Sequence, residues 1–75
     1  MNMPLLPTLK RQGQETLEEY LLRLGAKELV RDGNKQKIAF RERLQLVDTL
    51  EIARMFHQSQ WEVIEMMQEI EVRSS

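Results

Sequence analysis

A single histidine and no cysteine restrict the chemistry open to this 75-residue chain. His57 has Asp48 and Glu51 close by in sequence, residue types that a proton relay would use. Their spacing along a helix does not bring them to one point, so no nucleophile–base pair can be assembled. His57 is therefore expected to be a solvated turn residue. Glu62, Glu65 and Glu69 share one face of a helix and could loosely hold a divalent cation, although such a carboxylate stripe is more commonly a solvated face. The chain contains no HExxH, no glycine-rich phosphate loop and no nucleotide fingerprint. A protein this small also has little room for a ready-made pocket. The expectation is a non-enzymatic protein with no catalytic, cofactor or metal residues.

Recognition chemistry is better represented. Trp61 is the only tryptophan and falls at the first turn of a helix, off its apolar stripe. Tryptophan is enriched at the energetic centre of interfaces. With Glu62 and Glu65 beside it, and Leu50 on the preceding helix, it forms the expected partner-binding set. A second set is basic: Lys35, Lys37, Arg41 and Arg43 could contact phosphates. Residues 31–43 hold five Lys/Arg against two Asp/Glu, enough for a usable basic patch. Charge is unevenly divided along the chain. Residues 1–45 carry nine basic and six acidic side chains, and residues 46–75 carry two and six, giving net +3 and −4. Such a polar molecule could orient a partner or a second copy of itself.

The elements that must position these residues read as helices. Thr16-Leu17-Glu18-Glu19 is a capping box, and Leu17, Tyr20, Leu21 and Leu24 follow as an amphipathic stripe. The helix is expected over 16–24, with a break near Gly25 and a separate turn or short helix at 26–31. Asp32-Gly33-Asn34 marks a turn. Residues 35–41 admit two descriptions. As a strand they put Ile38 and Phe40 on one side and Lys37, Ala39 and Arg41 on the other. As the start of a helix they add Phe40 to a stripe with Leu44 and Val47, and this description is preferred. From Leu44 to Phe56 eight of thirteen residues are apolar and would encircle a helix, which must then be buried all round. Ser59-Gln60-Trp61-Glu62 is a second capping box, opening a helix whose Val63, Met66, Met67 and Ile70 form one face. The expected fold is all-α: a compact three- to four-helix domain over residues 14–75, with helices at 16–31, 38–57 and 60–72. Residues 1–13, which include Pro4, Pro7, Leu5, Leu6 and Leu9, form an extended apolar arm. Two short neighbours cannot cover an all-round apolar central helix. A homodimer, or an obligate partner protein, is therefore expected.

Residues 49–67 resemble a helix-turn-helix unit. Ile52, Ala53, Phe56, Val63 and Met66 stand where that unit places apolar residues, and a small Ala falls where its helices cross. His57 takes the place of the usual turn glycine, and Gln58 that of an apolar residue. Residues 37–64 also resemble a ribbon-helix-helix, in which Lys37, Ala39 and Arg41 would lie on the base-reading strand. The spacing from strand to turn is about one residue short, and neither resemblance amounts to a family assignment. Both imply DNA binding. The would-be recognition helix nonetheless has no Lys or Arg before Arg73 and carries Glu62, Glu65, Glu69 and Glu71. Phosphate attraction dominates the affinity of such helices, so an acidic one argues against that use.

No apolar run approaches the roughly 20 residues of a membrane span, and the first residues lack the charged and apolar regions of a secretory signal. A cytoplasmic location is expected. The leading functional expectation is a protein-interaction or regulatory adaptor module. The alternative is a DNA-binding regulator that uses residues 35–43.

Overall fold

The computed structural model describes residues 10–41 and 45–74. Among these, the element order is α1 (Leu17–Arg23), β1 (Ala26–Asp32), β2 (Lys35–Phe40), β3 (Val47–Asp48), α2 (Thr49–Phe56) and α3 (Gln60–Ser74). The fold is α+β, with three helices and a three-stranded antiparallel sheet ordered β1-β2-β3. This corrects the all-α expectation.

The first helix forms for the reason its sequence suggests. The Glu19 N–H donates to Thr16 Oγ1 at 3.1 Å, and the Thr16 N–H donates to Glu19 Oε1 at 2.9 Å, so the capping box is closed in both directions. The helix ends at Gly25, whose φ of +71° suits glycine. A Cβ there would also lie 3.4 Å from the Cβ of Arg41, which passes close by. The chain then runs into β1 rather than a second helix.

Residues 26–40 are a hairpin because a period of two outweighs the helical period. Asp32 pairs with Lys35 across the two-residue loop Gly33-Asn34, and Leu29 pairs with Ile38. Gly33 supplies a positive φ of +66° at the first loop position, the pattern of a type II′ turn. Ile38 and Phe40 are buried, with Ala39 less so between them. The helix preferred over 38–57 is thus replaced by β2, a connection, β3 and an eight-residue α2.

The all-round apolar central helix does not exist. Val47 lies in β3, Leu46 and Leu50 are 37 % and 41 % exposed, and Leu44 falls outside the described residues. Asp48 is the physical divider: its side chain accepts from the Leu50 N–H at 2.9 Å and starts α2 as N-cap. Only Ile52, Ala53 and Phe56 of the α2 apolar residues are buried in the core. The case for a second copy covering the helix goes with the helix.

Three residues, His57–Ser59, join α2 to α3. His57 is left-handed, at φ 54° and ψ 41°. Its N–H bonds to Arg54 O at 3.3 Å and the Gln58 N–H bonds to Ala53 O at 2.9 Å, the two bonds of a Schellman ending. The second capping box is also present. The Ser59 N–H donates to Glu62 Oε1 at 2.9 Å, and the Glu62 N–H donates to Ser59 Oγ at 3.2 Å.

The core draws Tyr20, Leu21 and Leu24 from α1, Ile38 and Phe40 from β2, Ile52 and Phe56 from α2, and Val63, Met67 and Ile70 from α3. One polar side chain is buried among them. Thr49 donates from Oγ1 to Gln36 O at 2.8 Å and accepts from Gln60 Nε2 at 2.9 Å, tying α2 to both β2 and α3. At the outer side of β1 the Leu29 N–H donates to Glu71 Oε2 at 3.1 Å, so α3 is also fastened to the edge of the sheet. No helix among the described residues is long and apolar enough to cross a membrane.

Candidate functional site

The site begins with the side of α3 turned away from the core. Val63, Met67 and Ile70 point inward, which leaves Glu62, Glu65 and Glu69 towards the surface. Next to them lie the first turn of α1 and the end of α2. Leu17, Phe56 and Met66 meet between these elements and form an apolar floor. Glu18, Glu62, Glu65 and Glu69 form the rim of the resulting groove, which has a volume of about 550 Å³. Arg11 also lines it.

The floor is braced at Phe56, whose ring meets Tyr20 edge-on with centroids 5.2 Å apart and planes at 68°. The Arg11 guanidinium carbon lies 4.9 Å from the centroid of the same Phe56 ring. That is within cation–π range. Arg11 Nε also donates to Glu15 O at 2.8 Å. The stretch before α1 is held by a separate clasp. Arg23 Nε donates to Glu15 Oε2 at 2.7 Å, and Arg23 Nη2 donates to Lys10 O at 2.9 Å. The Arg23 guanidinium holds the Glu15 carboxyl below its ordinary range, aided by the Gln12 N–H.

Electrostatically the groove is negative. Four carboxylates line it against one guanidinium. Arg73 sits just outside and bridges Glu18 and, at 3.4 Å, Glu69. Glu62 is held ionised first by the Ser59 N–H, which draws its pKa below the usual carboxylate value. No partner is seen for Glu65 among the described residues. A second, more open depression of about 510 Å³ runs along α3 past Gln68 and Val72 and shares Glu65 and Glu69 with the first. The two carboxylates thus form a ridge between the depressions.

Of the expected partner contacts, Glu62 and Glu65 come together in the groove lining. Trp61 does not line it. It is 63 % exposed and stands one turn before Glu65 on α3. Leu50 is exposed on α2, apart from the groove.

The basic set is not assembled as a free patch. Lys37 Nζ is 2.8 Å from Asp32 Oδ2 across the hairpin, and Lys35 Nζ is 4.0 Å from Asp48 Oδ2. The Asp32 contact raises the Lys37 pKa and lowers that of Asp32. Arg41 is exposed just after β2, with its N–H donating to Gly25 O at 2.9 Å. Arg43 lies outside the described residues, as does the expected arm up to residue 9.

Sequence reasoning missed Arg11, Glu18 and the groove-facing role of Phe56. The capping box at Thr16 did place Glu18 on the first turn of α1, but no local signal set that turn beside α3. Among the described residues no group of three or more His, Cys, Asp or Glu is arranged to hold a metal ion. No family model matches the chain, and no curated protein or solved structure is significantly similar to it.

Proposed function

We propose that this chain is a non-enzymatic docking module that takes a cationic, partly apolar segment of a partner protein into the groove between α1 and α3. One observation carries this: an apolar floor of Leu17, Phe56 and Met66 rimmed by Glu18, Glu62, Glu65 and Glu69. Apolar contact supplies affinity, while the carboxylates steer a basic partner and reject acidic ones. A single groove of this size suits a transient interaction better than a permanent one. Trp61, exposed one turn from Glu65, extends the contact surface beyond the groove.

A partner protein is favoured over a homodimer built on this face. A second copy would set Glu62, Glu65 and Glu69 against themselves. It is also favoured over DNA. An acidic α3 repels phosphate, and Lys35 and Lys37 already face Asp48 and Asp32.

The test is calorimetric titration with a cationic amphipathic peptide in which Arg and Leu alternate at helical spacing. Saturable binding that weakens with salt is expected. The double variant Glu62→Lys/Glu65→Lys should weaken it by about tenfold or more, since like charges then face each other. Binding unchanged by the double charge reversal, or absent in the unmodified protein, would refute the proposal.

A further inference from the structure

The chain already places one guanidinium at the groove. The Arg11 guanidinium lies over Phe56, and Phe56 is part of the groove floor. Among the described residues its other tether is the Nε bond to the Glu15 carbonyl, at 2.8 Å, on the exposed side of the segment. The segment itself does not depend on that stack. Arg23 holds it through Lys10 O and the Glu15 carboxylate, and the Gln12 N–H donates to Glu15 Oε1 at 3.0 Å. The Arg11 side chain can therefore leave the ring without unfastening the backbone beneath it.

Resting on the docking function above, we propose that the groove is selective for arginine over lysine and that Arg11 is an intramolecular stand-in for the arginine of a partner. Arg11 and an incoming arginine compete for the same ring face, beside the same acidic rim. A planar guanidinium can lie flat on Phe56 with its edge N–H groups left to bond to acceptors around the ring, as Arg11 bonds to Glu15 O. An ammonium is a strongly hydrated point charge and does neither as well. Arg11 also offsets one of the four rim charges, so the closed groove is less attractive to stray cations than the open one. Binding then includes the displacement of Arg11, and removing that side chain strengthens binding. A docking site without a stand-in would gain no more from the loss of Arg11 than from the loss of another nearby positive charge.

The experiment compares two peptides that differ only in Arg or Lys at the cationic positions. Each is titrated into the unmodified protein, Arg11→Ala and Arg54→Ala. Arg54 is exposed on α2 and lies outside the groove lining, so its variant controls for the loss of one positive charge. The unmodified protein is expected to prefer the Arg peptide. Arg11→Ala should bind that peptide about two- to five-fold more tightly, the strength of an exposed cation–π contact. Arg54→Ala should show a smaller gain than Arg11→Ala. Thermal unfolding should show Arg11→Ala still folded, because the Arg23 clasp is intact. Equal affinity for the two peptides, or an Arg11→Ala variant that binds no more tightly than Arg54→Ala, overturns the stand-in while leaving the docking function in place. No binding of either peptide by any of the proteins removes both.

Discussion

At the scale of single residues, the sharpest conflict in the chain is His57. It occupies the left-handed position of a Schellman ending, where glycine is usual, with φ 54°. The sequence signalled this in part, since His57 stands where a helix-turn-helix unit has its turn glycine. A side chain there strains the backbone by about 1 kcal/mol or more. His57→Gly is accordingly expected to stabilise the protein by roughly 1 kcal/mol, reduced somewhat by the added chain freedom of glycine. Urea unfolding measures it. A variant less stable than the unmodified protein would mean that the imidazole makes a contact worth more than the strain. Other residue signals were read correctly because they are local: Thr16 with Glu19 and Ser59 with Glu62 each close within three positions. Arg11 and Glu18 were not legible as site residues, because their meaning depends on α3 lying beside α1, more than forty residues away in sequence.

At the scale of elements, the hairpin shows where sequence reasoning went astray and why. The alternation of Ile38 and Phe40 was visible, but the dense apolar stretch from Leu44 to Phe56 drew residue 40 into an imagined helix. From Gln45 on, where it is described, that stretch is three things in succession: a connection, a two-residue strand and a short helix. Asp48-Thr49-Leu50-Glu51 carried the missing boundary, an N-cap residue followed three positions later by Glu. Averaging hydrophobicity across it hid the break. The clasp that holds residues 10–15 to α1 makes a prediction of its own. Arg23 lowers the pKa of Glu15 below its ordinary 4.5, so the folded state binds its proton less readily than the unfolded state. The stability from this pair is complete above that value and is lost as pH falls through it towards the folded pKa. Asp32, lowered by Lys37, and Glu62, lowered by the Ser59 N–H, act in the same sense. The urea midpoint should therefore fall between about pH 6 and pH 3, and Arg23→Gln should make that fall shallower. An Arg23→Gln variant with an unchanged acid slope would show that the Glu15–Arg23 pair contributes nothing to folding.

At the scale of the whole molecule, the charge asymmetry of the sequence is partly folded together, since Lys35 meets Asp48 and Arg73 meets Glu18 across its two halves. The basic half had suggested phosphate contacts, yet Lys35 and Lys37 lie against Asp48 and Asp32 on or beside the sheet. The acidic half is the more open chemistry, because α3 sets Glu62, Glu65 and Glu69 along a groove with an apolar floor. The docking function rests on that contrast. Its most direct test is an amide chemical-shift map of the protein, recorded during titration with the arginine-containing amphipathic peptide. The account predicts that shifts cluster on Leu17, Glu18, Phe56, Glu62, Glu65 and Glu69, spread to Trp61, and leave Lys35, Lys37 and Leu50 unmoved. Shifts centred on the β1–β2 hairpin, or on Leu50 with the groove silent, would contradict it.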